Sequence, residues 1–181
     1  IGRPDVVLHN IERFGLRMAA DRDYELVNPD SDPRFNELWQ HYHSLMERRG
    51  VSVEYAKKEV RRRTTLIGTL LLKFGYGDGL ICGTYGMHRL HREFVEDVLG
   101  RREGVDHLYT VNLLSLPGRT LFLADTYVNY DPTPEQVVEM TLLAAEEMKR
   151  FGIEPRIALL SHSSFGSADP PTAAQMRTAL R

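Results

Sequence analysis

What most constrains this chain is the alternation of short apolar runs with longer amphipathic segments, each closed by glycine or proline. Residues 4–14 have helical spacing and stop before Gly15, a glycine suited to the position just past a helix end. Residues 24–27 read as a short strand, and Asn28-Pro29-Asp30 breaks it. Ser31-Asp32-Pro33 supplies a cap and a first-turn proline for a helix to Arg49, stopped by Gly50. Ser52 caps the next helix, which carries Lys57, Lys58 and Arg61 to Arg63 and has an apolar continuation over 66–74. Residues 78–84 read as a buried strand and 88–99 as a helix. The runs 111–116 and 120–125 flank Pro117-Gly118-Arg119, a hairpin signal.

The best-defined helix follows. Thr133, Pro134 and Gln136 form a capping box, and Val137, Val138, Thr141, Ala144, Ala145, Met148 and Phe151 make one apolar stripe ending at Gly152. Residues 156–160 read as another buried strand, and Asp169-Pro170-Pro171 opens a last helix. There is no internal repeat and no low-complexity linker. Strands alternating with helices predict an α/β fold, layered α/β/α around a mainly parallel sheet, interrupted by one antiparallel pair.

Charge excludes some functions. With 23 Lys plus Arg against 25 Asp plus Glu, the formal net charge is -2. A nucleic-acid or membrane binder would show a basic excess, so neither partner is expected. No apolar stretch approaches the roughly 18 residues needed to cross a bilayer, and the N-terminus has no signal pattern. The one cysteine, Cys82, lies in the apolar run Leu80-Ile81-Cys82 and reads as a small core residue of a reducing, cytoplasmic protein. The chain opens on Ile1-Gly2-Arg3-Pro4 without an initiating Met, as a fragment of something longer would.

Chemistry is best placed in Leu159-Leu160-Ser161-His162-Ser163-Ser164-Phe165-Gly166-Ser167-Ala168, where an apolar run enters a loop of hydroxyl residues. In open α/β sheets, ligands sit beyond the carboxyl ends of strands. Such a loop could hold a phosphate or a thioester carbonyl; it could equally be an ordinary loop with capping serines. A hydrolase nucleophile at Ser163 or Ser164 is disfavoured, because the G-x-S-x-G turn is absent. The basic run from Lys57 to Arg63 is a solvated helix face, unless Arg62 or Arg63 meets phosphates or an acidic surface in an oligomer. His88, Arg89, His91 and Arg92 form a second basic cluster behind the 78–84 run. No histidine pair has acidic or thiol companions, so no metal site is expected.

Several of these motifs together resemble a known family. Phe122-Leu123-Ala124-Asp125, with Asn129 and Pro132 after it, is similar to the Phe-x-x-Asp and Asn-x-x-Pro pattern of phosphotransacetylases (phosphate acetyl/butyryltransferases). Ser161, Ser163, Gly166 and Ser167 resemble that family's Leu-Ser-x-Ser-x-x-Gly-Ser loop, and Asp78-Gly79 with Gly83 its Asp-Gly-x-x-x-Gly strand. The resemblance implies a two-lobed architecture, also of the isocitrate/isopropylmalate dehydrogenase type, with an acyl-CoA site between lobes. Over 1–181 the chain would be an internal part of that domain, incomplete at both ends and spanning parts of two lobes. Arg61-Arg62-Arg63-Thr64-Thr65-Leu66-Ile67-Gly68, Thr84-Tyr85-Gly86 and Thr141-Leu142-Leu143-Ala144-Ala145 look like the branch fused behind malic enzymes.

That branch implies an N-terminal malic-enzyme domain using NADP and a divalent metal (Mg or Mn) in the parent protein, and a homo-oligomer. For this chain it implies acetyl-CoA as a regulatory ligand, held by Ser161, Ser163, Ser164, Gly166 and Ser167 with Thr84, Tyr85, His88 and Arg89. The departures point away from catalysis. Met46 stands where working phosphotransacetylases have a phosphate-binding Arg, and 85–94 departs from the family's Ser/Thr-rich segment and Arg-Pro. The family's catalytic Ser and Asp belong to a stretch beyond Arg181. A regulatory binding domain is therefore the leading expectation, with a catalytic phosphate acetyltransferase and an oligomerisation module as alternatives.

Overall fold

Helix α4, Thr64–Lys73, is apolar almost all round, so neighbours must cover it on every side. Leu66, Ile67 and Leu70 are fully buried, each such side chain contributing about 1.5–3 kcal/mol by leaving water. The buried Thr69 hydroxyl is satisfied by donating to the Thr65 carbonyl at 2.7 Å. Gly68 lets the chain approach closely, since a Cβ there would stand 2.6 Å from Leu80 Cδ1.

The computed structural model describes residues 1–83, 85–163, 167 and 169–181. They divide into two compact units, Ile1–Gly100 and Arg101–Arg181. In the first, α1 (Pro4–Arg13) precedes α2 (Phe35–Met46) and α3 (Val53–Arg62). These are followed by α4 and then α5 (His88–Leu99). Leu38, Tyr42 and Met46 of α2, Ala56 and Val60 of α3, and Phe94 and Val98 of α5 join α4 in one core. Ser52 Oγ caps α3 by accepting from the Tyr55 amide at 3.2 Å, as its position predicts.

Two boundaries differ from expectation. Residues 53–73 are two helices rather than one with a continuation: Arg63 is extended (φ -113°, ψ 94°) and turns the chain between them. The bend has a cause. α3 buries one face and α4 nearly all of its surface, so a straight rod could not serve both. α2 begins at Phe35, because Asp32 Oδ1 accepts from the Arg34 amide at 2.9 Å in a turn that delays the helix.

The second unit holds β1 (Val111–Leu116) and β2 (Arg119–Ala124), an antiparallel hairpin with Leu116 opposite Arg119. Pro117 excludes the turn types that need positive φ at the first corner, and Gly118 takes φ +74° at the second, the signature of a type II turn. Helix α6 (Pro134–Arg150) has the expected capping box, and α7 (Pro171–Ala179) follows. Of the apolar stripe on α6, Val137 and Ala144 are buried, while Val138 and Phe151 stay exposed. Phe151 meets Phe122 of β2 edge to face at 5.7 Å.

Helices and strands both occur, but among the described residues the only sheet is this hairpin, and no parallel ladder forms. Residues 24–27 and 156–160 are not strands, nor are 78–83 of the expected 78–84 strand, whose Thr84 lies outside the described residues; Ala20 and Tyr24 share only an isolated parallel bridge. An apolar run becomes a buried strand only where neighbours supply ladder partners and cover. Here Ile81 is 99% exposed and Leu160 76%. Cys82 is likewise exposed rather than in the core. No described helix is long and apolar enough to cross a membrane.

Candidate functional site

Each unit carries a cleft at positions the sequence singles out. In the first unit a cavity of about 140 Å³ lies between the α3–α4 junction and the start of α5. His91 organises it. Its Nε2 lies 2.8 Å from the Tyr85 carbonyl and its Nδ1 2.7 Å from Thr65 Oγ1. A carbonyl only accepts, so Nε2 carries the proton, and in the neutral ring Nδ1 accepts from the Thr65 hydroxyl. One imidazole thereby ties the 85–87 segment to the head of α4. Gly86 (φ +99°) makes room for it, since a Cβ there would meet His91 Nε2 at 3.3 Å.

Of the residues expected here, Tyr85 lines the cleft, and Thr84 lies outside the described residues. His88 and Arg89 begin α5 but do not line the cleft, and Arg89 pairs with Glu93 at 2.7 Å. Arg62, Arg63, Thr65 and His91 line it instead. Met87, Leu90, His91 and Phe94, which line the cleft, have the i, i+3, i+4, i+7 spacing of one helix face, and His88 and Arg89 stand outside that set.

In the second unit a cleft of about 360 Å³ brings Tyr130, Asp131 and Pro132 together with Ser161 and His162, beside Thr172 of α7. The two stretches that carry the family motifs thus meet around one hollow. Ser161 Oγ accepts from the Ser163 amide at 3.2 Å, which turns the loop back on itself. Ser164 and Gly166 lie outside the described residues, and Ser167 is exposed.

The path into this cleft is set by Asp125, a non-glycine residue at φ +49°. Its Oδ2 accepts from the Asn129 backbone amide at 3.2 Å and from Asn129 Nδ2 at 2.8 Å. Asn129 Nδ2 also donates to the Leu108 carbonyl at 3.1 Å. The Asp and Asn of the Phe-x-x-Asp and Asn-x-x-Pro pattern therefore fold the turn that delivers Tyr130 to Pro132. Asp125 Oδ1 and Thr110 Oγ1 are buried, with no hydrogen-bond partner among the described residues.

A third cluster holds the chain entering β1. The Tyr109 hydroxyl donates to Glu139 Oε2 at 2.6 Å, the Asp106 amide donates to Oε1 at 2.7 Å, and His107 Nδ1 lies 3.2 Å from Oε2. Tyr109's hydroxyl bond first, with the Asp106 amide and His107 adding to it, holds the Glu139 carboxyl below its usual range. Burial first, then Glu139, pushes the Tyr109 phenol up. Sequence reasoning missed this cluster, because 106–109 carries no motif.

Met46 sits in the core at 9% exposure. Arg49 Nη1 reaches its sulfur at 3.9 Å and is also paired with Asp97. Among the described residues, no three His, Cys, Asp or Glu side chains gather as a metal ion would require.

Residues 1–181 all match the family described as phosphate acetyl/butaryl transferase. The chain is 48% identical over 180 residues to the NADP-dependent malic enzyme of Escherichia coli strain K12, covering 99% of this chain and 24% of that protein. It is 44% identical over 181 residues to the NAD-dependent malic enzyme of Rhizobium meliloti, covering 100% of the chain and 24% of the relative. To the phosphate acetyltransferase of Corynebacterium glutamicum it is 30% identical over 169 residues, 92% of the chain and 50% of the enzyme. The chain therefore spans about a quarter of the length of the malic enzymes it matches. In structure it superposes on the EutD phosphotransacetylase from Staphylococcus aureus with a TM-score of 0.76 at 20% identity, over 98% of this chain and 53% of that one. The fold is thus the α/β fold of phosphotransacetylases. With every residue matched, the chain belongs to the phosphate acetyl/butaryl transferase family, in the form found within malic enzymes.

Proposed function

We propose that this chain is the acyl-CoA-binding domain of a malic enzyme and reports acetyl-CoA level to the malate-oxidising part of the same polypeptide. The observation that carries the reading is the gap in similarity: 48% identity to a malic enzyme against 30% to a phosphate acetyltransferase, each over more than nine-tenths of the chain. In this reading Ser161, Ser163, Ser164, Gly166 and Ser167 contact the acyl-CoA, as do Thr84, Tyr85, His88 and Arg89. NADP and Mg or Mn belong to the N-terminal malic-enzyme domain, and the parent assembles as a homo-oligomer. Regulation requires acetyl-CoA to bind one conformation or assembly better than another. Met46 supports binding over catalysis, because a buried thioether offers a phosphate no charge-assisted bond. Calorimetry of acetyl-CoA against the chain is the test, and an absence of heat at millimolar ligand overturns the proposal.

A second reading, a catalytic phosphate acetyltransferase, draws on Arg49, which stands against the Met46 sulfur and could do the work of the replaced Arg. Its commitment to Asp97 argues against that role. Formation of acetyl-CoA from acetyl phosphate by the full-length protein would favour it.

A further inference from the structure

Helix α6 carries more apolar side chains than its own unit covers. Val137 and Ala144 bury one side of it. On another side Glu139 accepts from the Tyr109 hydroxyl and Glu146 pairs with Arg102, so both carboxylates are held by the chain that precedes β1. Beside them runs a third line, Glu135, Val138, Leu142, Ala145 and Lys149, kept on one face by its alternating spacing of three and four. Leu142 is 66% exposed and Val138 38%, while Ala145 is half-buried. Glu135 and Lys149 are exposed and have no ion pair among the described residues.

A single exposed leucine is ordinary. This one stands at the crest of a short apolar seam that has an acid at one end and a base at the other, the pattern of a helix-pairing face. The dipole of α6 favours Glu135 in its first turn and Lys149 in its last, which accounts for the signs of the ends but not for the apolar residues between them. The ends are also placed symmetrically, each seven residues from Leu142. A second α6, turned end for end about a twofold axis at Leu142, brings its Lys149 to Glu135 and its Glu135 to Lys149. Leu142 then meets its own mate, and the small Ala145 lies towards Val138. A parallel pairing would set like charges against each other.

We propose that the Val138, Leu142 and Ala145 face of α6 is an interface between two copies of this chain, packed antiparallel about a twofold axis at Leu142 and closed at each end by Glu135 with Lys149. The symmetry argues for a second copy over an unrelated partner, since only a twofold requires opposite charges at equal distances from the crest. At 1.5 Å per residue the seam is about 21 Å long, so it buries less than the roughly 800 Å² per partner of a standard interface and the dimer is a weak one. The proposal goes beyond the acyl-CoA reading, which needs no particular interface, and its failure leaves that reading untouched.

The experiment is sedimentation equilibrium of the chain from about 10 μM to about 1 mM, a range that spans weak self-association. Circular dichroism first shows that each variant is folded. The parent should dimerise, Leu142→Glu should weaken the dimer at least about tenfold, and Lys58→Ala, a charge change on α3, should leave it unchanged. Glu135→Lys places two cations at each end of the seam and Lys149→Glu two anions. Each alone should therefore dimerise about tenfold less tightly than the parent, and an equimolar mixture of the two should recover the parent affinity. A chain that stays monomeric at about 1 mM overturns the proposal and leaves this face to a different partner. Dimerisation that ignores Leu142→Glu places the contact elsewhere and overturns it too, as does a mixture that associates no better than either variant alone.

Discussion

The Tyr109 hydroxyl donates to Glu139 Oε2 across 2.6 Å and joins the lead-in to β1 to the second turn of α6. Glu139 gains its hydrogen bonds only in the folded chain, so its carboxyl titrates below the ordinary glutamate value of 4.5. A lowered folded pKa means stability that is present above the unfolded value and lost as pH falls through the folded one. Tyr109→Phe should remove most of that acid-side dependence. Its cost should be about 1 kcal/mol near neutrality, the lower end for a hydrogen bond to a charge because Glu139 is partly solvated. Urea denaturation of parent and variant at neutral pH and near pH 4 provides the comparison; parallel losses at both values would show that the hydroxyl does not act through Glu139.

Glu146 makes the stronger pH prediction. Arg102 grips both of its carboxylate oxygens, at 2.7 and 2.8 Å, and Arg150 adds a third contact at 3.3 Å. Arg102's hydrogen bonds foremost bring the Glu146 carboxyl down to about 2. The pair's contribution should therefore persist below pH 4.5 and disappear only as pH approaches about 2. The cluster is open to solvent, so salt should screen it. NMR titration of the Glu146 side-chain carbon reads this directly: Arg102→Gln should raise its midpoint, and high salt should raise it less.

Helix α6 begins on a reciprocal cap, with the Gln136 amide donating to Thr133 Oγ1 at 3.3 Å and the Thr133 amide to Gln136 Oε1 at 2.8 Å. Thr133→Ala should cost about 1 kcal/mol, and Thr133→Ser much less, since the serine hydroxyl keeps the bond. Because the cap follows Tyr130 to Pro132 directly, fraying it loosens one wall of the second cleft. Chemical denaturation should show the stability loss, and amide exchange of the first turn of α6 its location.

That cap was legible from spacing alone, as were the Ser52 cap, the Pro117-Gly118 turn and the glycine stops at Gly15, Gly50 and Gly152. Each is a local rule whose partners lie within a few residues. The strands expected at 24–27, 78–84 and 156–160 do not form among the described residues, because a ladder depends on distant partners that a run of apolar residues does not name. Cys82 failed for the same reason: an apolar neighbourhood in sequence is no promise of cover in space. The meeting of Asp131 with Ser161 follows from two recognisable motifs, but their shared cleft does not follow from either one. The role of His91 over His88 turned on which face of α5 meets α4, a packing outcome that spacing narrows without deciding. The Glu139 cluster draws Asp106, His107 and Tyr109 from a stretch with no pattern at all.

His91 and Gly86 give the last prediction, in which geometry and backbone conformation act on the same bond. Gly86 holds φ +99°, a conformation that costs any other residue strain, and an added Cβ would press on His91 Nε2 at 3.3 Å. Gly86→Ala should destabilise the chain by about 1–3 kcal/mol and break the bond from His91 Nε2 to the Tyr85 carbonyl. His91→Ala removes the same bond and leaves the Thr65 hydroxyl to find another acceptor, so it should cost about 1–2 kcal/mol. If the two residues act through one contact, the double variant will be more stable than the sum of the single losses allows, by at least about 0.5 kcal/mol. Nitrogen NMR of the His91 ring adds a signature that stability alone would not: the parent should show the Nε2-protonated tautomer, and Gly86→Ala a mixture. Strict additivity with an unchanged tautomer would mean that Gly86 serves only its own turn, and that another contact holds the 85–87 segment in place.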